Sequence, residues 1–137
     1  MGRYWLTKLK DKMENSNGIV IYGIGYIAHC FYKDAIKIGA NIAYCVVTDK
    51  KSKTNFNGIT VFDFEEKIAD IKKNNRQVII AAGELYFPEI KKFLDKYEII
   101  NYFWIEEFRR DILADLKINY QSAAECLNGI EEWYSDE

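Results

Sequence analysis

The chain has 137 residues, 49% hydrophobic and 15% aromatic, with one proline, Pro88; this is one domain's length with apolar content for its own core, and it excludes a disordered or proline-linked architecture. Nineteen Lys/Arg stand against 21 Asp/Glu, which lacks the basic footprint of a nucleic-acid binder. The charge is uneven, net +4 over residues 1–105 and net −6 over 106–137, so the acidic end either lies on a basic face of the body or stands in solvent.

The pattern opens with a helix over 3–14, where Trp5, Leu9 and Met13 recur at i, i+4 and i+8. Asn15-Ser16-Asn17-Gly18 ends it. Ile19 to Tyr22 is a short run of β-type residues, the mark of a strand buried on both faces. Gly23-Ile24-Gly25 follows at once. From Tyr26 to Ile38, the residues Ile27, Phe31, Ala35 and Ile38 share one helical face, closed by Gly39. Ile42 to Val47 is a second apolar strand, ended by Thr48-Asp49 and the basic loop Lys50-Lys51-Ser52-Lys53. Asn57-Gly58 signals a turn, and Ile59 to Phe62 a short strand. Asp63 with Glu66 predicts a capping box on a helix reaching about Lys73. Val78 to Ala82 is the third long apolar strand, closed by Gly83-Glu84. A helix with Pro88 in its first turn runs to about Lys96, and Ile99 to Ile105 is the last strand.

This order, β-α-β-(β)-α-β-α-β, predicts an α/β fold. Its form is a three-layer Rossmann-like parallel sheet of four to five strands, with helices on both faces. The core spans 18–105 of a single domain. Residues 106–137 form a helical tail in two pieces. Phe108, Ile112 and Leu116 suit the first; Ala123, Leu127 and Ile130 suit the second, with Trp133 and Tyr134 at its end.

The three cysteines, Cys30, Cys45 and Cys126, lack metal spacing, and His29 is the one histidine, so no metal site is expected. A reduced, cytoplasmic protein is the simplest reading. The opening residues carry no secretory-signal pattern, and no apolar run approaches the 18 or so residues of a membrane span.

Ile19 to Ala28 has the form G-x-G-x-x-A between a strand and a helix. Gly23 permits the tight turn off the strand. Gly25, lacking a Cβ, lets a phosphate approach the backbone, and Ala28 lets the helix pack closely. The amides of Gly25, Tyr26 and Ile27, reached through Ile24, then favour an anion at a helix N-terminus. Asp49 lies 24 residues past Gly25, near the ribose-binding position of the dinucleotide fingerprint; read plainly, it is a loop carboxylate paired with Lys50 or Lys51. Lys50, with Lys51 and Lys53, either meets a second phosphate or belongs to a solvated loop. In a sheet ordered 2-1-3, Gly83 forms the second wall of the same crevice. Glu84 either accepts a sugar or ribose hydroxyl or caps the helix that follows. No Ser, Cys or Lys nucleophile sits beside an evident base, and His29 reads as a surface or half-buried residue, so no catalytic residue is assigned.

The runs I-V-I-Y-G-I-G-Y-I-A, V-V-T-D, N-G-I-T-V and I-I-A-A-G-E occur in this order. Together they resemble the Rossmann-like N-terminal nucleotide-sugar-binding domain of bacterial sugar acyltransferases. Similar domains occur in related enzymes of surface-polysaccharide biosynthesis. The resemblance covers about residues 18–105. It implies a nucleotide sugar at the glycine turn and implicates Gly23, Gly25, Tyr26, Asp49, Gly83 and Glu84. The acyltransferases continue into a left-handed β-helix of hexapeptide repeats, with acetyl-CoA and a catalytic histidine; this sequence has no such repeats.

The expectation is a nucleotide or nucleotide-sugar binding domain, a UDP-sugar first among ligands, without a complete catalytic site of its own. Its partners would be a separate catalytic chain or a second copy of itself. Two alternatives share the same residues. One is an NAD(H)-binding oxidoreductase fragment or redox sensor, with Asp49 favouring NAD over NADP. The other is a structural or partner-docking domain with a degenerate nucleotide site, marked by Trp133 and Tyr134 after Glu131 and Glu132.

Overall fold

A computed structural model describes residues 3–13 and 17–119; Cys126 and the second tail piece lie outside the described residues. The elements run α1 (Arg3–Lys12), β1 (Ile19–Tyr22), α2 (Tyr26–Lys37), β2 (Ile42–Val47), β3 (Asn55–Phe56), β4 (Ile59–Asp63), α3 (Phe64–Lys73), β5 (Val78–Ile80), α4 (Phe87–Lys96), β6 (Tyr102–Trp104) and α5 (Ile105–Asn119). They form an α/β fold around one six-stranded sheet ordered β3-β4-β2-β1-β5-β6. Every neighbouring pair is parallel except the β3–β4 hairpin. Among the parallel strands the chain lays down β1, β2 and β4 to one side, then returns to the other side of β1 with β5 and β6. This is the doubly wound order of Rossmann-like sheets, and its switch point lies between β1 and β5.

The central strands are continuous apolar runs because both faces of the sheet are covered. Successive side chains point to opposite faces, and the two cores divide accordingly. Ile19, Ile21, Cys45, Ile79 and Phe103 pack with Trp5 and Leu9 of α1, Ala28 and Phe31 of α2, and Ile112 and Leu116 of α5. Val20, Tyr22, Val46, Ile80 and Trp104 pack with Phe64 and Ile71 of α3 and Ile90 and Leu94 of α4. Fully burying each large apolar side chain contributes about 1.5–3 kcal/mol before entropy is counted. α1 is also pinned to α2 by a polar bond: Trp5 Nε1–H donates to the buried Asp34 carboxylate at 2.9 Å.

The predicted alternation of strands and helices is present, with local corrections. Asn57 and Gly58 form a two-residue turn in which both residues have positive φ, 51° and 85°, as a type I′ hairpin requires. Its first strand, Asn55–Phe56, was not predicted, because two residues are too few to show an alternation. The capping box at Asp63 does not form. Asp63 holds the N-cap position of α3 in an extended conformation, but its carboxylate accepts the amide of Lys50 at 2.7 Å. The last strand is shorter than 99–105, because Ile105 already opens α5. The first tail piece packs onto the body, with Ile112 and Leu116 buried and Phe108 against them, so buried apolar side chains extend past residue 105. Among the described residues no helix is long and apolar enough to cross a membrane.

Candidate functional site

The carboxyl ends of β1 and β5 bound an open crevice of about 560 Å³ at the switch point. Two turns form its walls. The first follows β1. Gly23 has φ of 124°, which only glycine adopts without strain. Its amide donates to Val46 O at 2.9 Å. A Cβ at Gly23 would stand 2.5 Å from Ala81 O, so no side chain fits between the ends of β1 and β5. Gly25 differs in kind. It sits extended at the N-cap of α2 (φ −87°, ψ −157°) and brings no side chain to cap the helix. Its carbonyl accepts His29 N–H at 3.0 Å, while the amides of the first turn have no intrahelical acceptor. A Cβ at Gly25 would meet nothing within 4 Å. That open space above unpaired amides at a helix N-terminus suits an anion. Ala28 is fully buried beneath the turn.

The second wall is the segment between β5 and α4. Gly83 O accepts the amides of Tyr86 and Phe87, both at 3.1 Å, which turns the chain into α4. Side chains hold this wall from outside. Trp104 Nε1–H donates to Ala82 O at 2.7 Å. Phe87 stacks on Trp104, with centroids 4.1 Å apart and planes 7° from parallel. Arg110 of α5 pairs with Glu84 and lies over the Trp104 ring. The wall is therefore preset by packing on β6 and α5.

Tyr22 and Thr48 form the floor, their hydroxyls 2.9 Å apart. Burial pushes the Tyr22 phenol up to about 12, and the charges of Glu89 and Glu65 add to this. It therefore stays a neutral hydroxyl across physiological pH. Glu89 and Ile90 close the side toward α4. Tyr26 stands at the rim, 81% exposed; the Cys30 thiol one turn on raises its phenol.

Of the predicted residues, Gly23, Ile24, Gly25, Tyr26, Ile27 and Gly83 line this one crevice. A Cβ at Gly83 would meet Ile27 Cδ1 at an ordinary 3.7 Å, so Gly83 is not required there by sterics. Asp49, Lys50 and Glu84 are not among the lining residues. Asp49 accepts the amide of Lys51 at 3.1 Å, closing its own turn, with Lys51 at φ 52°. Lys50 is drawn to α3: its amide binds Asp63 and its Nζ lies 3.6 Å from Glu66. Glu84 faces Arg110 and does not cap α4, whose N-cap position is Tyr86. His29 is exposed, with Nδ1 3.3 Å from Asn57 Nδ2.

Sequence reasoning missed Tyr22, Thr48, Tyr86 and Glu89. Tyr22 and Thr48 were findable, since ligands of open α/β sheets sit beyond the carboxyl ends of strands. Glu89 had no local signal, because the direction it faces depends on how α4 packs. Cys45 is buried, and burial pushes its thiol up to about 12, which suits packing rather than reactivity. Among the described residues no group of three or more His, Cys, Asp or Glu is placed to hold a metal ion. No protein-family model and no curated protein matches this chain.

The parts present are backbone donors at a helix end, the hydroxyls of Tyr22, Tyr26, Thr48 and Tyr86, one carboxylate and apolar walls. They can hold an anionic group joined to a hydroxylated and an apolar portion. The described crevice brings no nucleophile next to a general base.

Proposed function

We propose that this chain binds a nucleotide or nucleotide sugar in the crevice between β1 and β5. The observation that carries the reading is Gly25: an extended N-cap without a side chain, opening the first-turn amides of α2 to empty space. A phosphate placed there meets N–H donors and the positive end of the helix. The volume of about 560 Å³ lies within the range of small-molecule and cofactor sites. The resemblance of residues 18–105 to the leading domain of sugar acyltransferases extends the reading to surface-polysaccharide biosynthesis in the bacterial cytoplasm. In that role the chain supplies binding, and a separate catalytic chain supplies chemistry.

Titration calorimetry with a UDP-sugar, a CDP derivative, NAD(H) and CoA tests the reading. Saturable binding of a nucleotide supports it, and no heat from any of them at millimolar concentration rejects it. Gly25→Val should cost at least tenfold in affinity while the protein stays folded, because the new side chain occupies the phosphate's place and its Cβ meets no protein atom within 4 Å. Strand order favours a second reading, since dinucleotide-binding folds share it. NAD binding without nucleotide-sugar binding would select it. Against it stands Asp49, whose carboxylate closes its own turn outside the crevice lining.

A further inference from the structure

We infer that Glu89 sets the ligand class of this crevice: it admits a neutral, hydroxyl-bearing sugar or ribose and turns away a ligand with an additional anionic group there. The inference rests on the nucleotide reading above and narrows it.

Fourteen of the described residues line the crevice, and among them Glu89 is the one with a charged side chain; none of the fourteen is lysine, arginine or histidine. The nearby cations are directed elsewhere. Lys50 faces Glu66, Arg109 faces Glu106 and Arg110 faces Glu84. Lys92, one turn on in α4, borders the neighbouring surface clefts with Glu89 but does not line this crevice, and no hydrogen bond or ion pair joins Glu89 to another described residue. Glu89 stands in the first turn of α4, and its charge reaches the Tyr22 phenol on the floor. Glu89 and the Tyr22–Thr48 pair line the same crevice, at the carboxyl end of the strands.

The chemistry of that end is complementary to hydroxyls. An ionised carboxylate accepts hydrogen bonds and donates none. Tyr22 and Thr48 carry two hydroxyl protons and share one bond, which leaves one proton to donate to a ligand oxygen. A hydroxyl-bearing ligand offers a donor to the carboxylate and an acceptor to the free hydroxyl proton. A carboxylate or phosphate at the same place faces Glu89 with no cation among the described lining residues, and like charges repel, with salt screening the effect because Glu89 is exposed. The phosphate of the ligand is served separately, by the amides at the start of α2. Asp49, at the usual ribose-reading position, does not line the crevice, and the structure gives Glu89 that task from a different element.

Calorimetry on the full chain with two matched pairs tests this: UDP-glucose against UDP-glucuronate, and NAD against NADP. Within whichever pair binds, the neutral member should bind at least tenfold more tightly. Glu89→Gln should bring the two members of the pair to within about threefold, and Glu89→Lys should reverse their order. Thermal unfolding of each variant checks that the exposed substitution leaves the fold intact. Equal affinities in the unmodified protein, or a preference that survives Glu89→Lys, overturns the inference and leaves the nucleotide reading standing. No binding by any of the four ligands overturns the inference, and overturns the nucleotide reading as well when the CDP derivative and CoA also give no heat.

Discussion

The two edges of the sheet use their polar groups differently. At the amino edge they are engaged with one another. Asp70, near the end of α3, accepts Tyr44 O–H at 2.5 Å, Arg76 Nε–H at 2.7 Å and Asn74 Nδ2–H at 2.7 Å. Asn17 donates to Asn74 O, Asn101 to Asn75 O and Gln77 to Lys12 O. At the carboxyl edge the amides opening α2, the Glu89 carboxylate and one hydroxyl of the Tyr22–Thr48 pair face a crevice. Hydrogen bonds closed within the protein contribute to stability, while groups left facing a cavity are available to a ligand. On the proposed reading, one edge serves stability and the other recognition, and mutations can test the division.

The largest expected effect is an exception to it. Gly23 belongs to the crevice wall, yet its role is structural, with φ of 124° and Ala81 O only 2.5 Å from where a Cβ would stand. Gly23→Ala combines backbone strain with overpacking and should cost about 3 kcal/mol, read by urea unfolding. A cost below about 1 kcal/mol would show that β1 and β5 can separate, and that the wall is less rigid than its geometry implies. Gly25→Val, two residues on, replaces a favoured N-cap residue by a disfavoured one and should cost no more than about 1 kcal/mol of stability while weakening ligand binding at least tenfold. The two glycines of one motif therefore separate folding from recognition.

These two roles show how far the sequence was readable. The glycine turn was legible because its meaning is local: a strand, a tight turn and a helix start are contiguous in the chain. The same holds for the helix opened by Pro88 and the turn at Asn57-Gly58. What sequence could not show was direction across the fold. Asp49 and Lys50 sit at the right spacing after β2, but the Asp63 carboxylate captures the loop through the Lys50 amide at 2.7 Å. That bond joins residues 13 apart in the chain and overrides the capping box that local pattern predicts. Glu84 was adjacent to the crevice in sequence, yet Arg110, 26 residues on, holds it. Glu89 became visible only once α4 was packed against β5.

Asp70→Ala probes the amino edge directly. It removes the acceptor shared by Tyr44, Arg76 and Asn74 and should cost about 1.5–2 kcal/mol near neutral pH, scaled down because the site is partly solvated. Ligand binding at the opposite edge should be unchanged. The Arg76 guanidinium and the Tyr44 hydroxyl hold the Asp70 carboxyl below its ordinary value. A carboxyl lowered in the folded state stabilises the protein above its unfolded pKa of about 3.9 and loses that contribution as pH falls through the lower folded value. The stability difference between the unmodified protein and Asp70→Ala should therefore be constant from about pH 5 to 7 and shrink below about pH 4. A gap that stays constant down to pH 2 would mean the network acts through packing, not charge.

The smallest effect expected is at the ion pair between Arg110 and Glu84, where the carboxyl edge most resembles the amino edge. Both side chains are more than half exposed. Asp70 has three partners, whereas Glu84 has one with a described contact. Exposed pairs of this kind contribute about 0–1 kcal/mol, reduced further by salt. The Glu84 wall has other support, from the Trp104 bond to Ala82 O and the Phe87 stack, and neither depends on charge. Arg110→Ala should therefore change stability by less than about 0.5 kcal/mol. A double-mutant cycle with Glu84→Gln should give a coupling of the same size that fades by 0.5 M salt. A coupling above about 1.5 kcal/mol would make this wall a charge-held structure like the Asp70 network, and the contrast between the two edges would fail at this point.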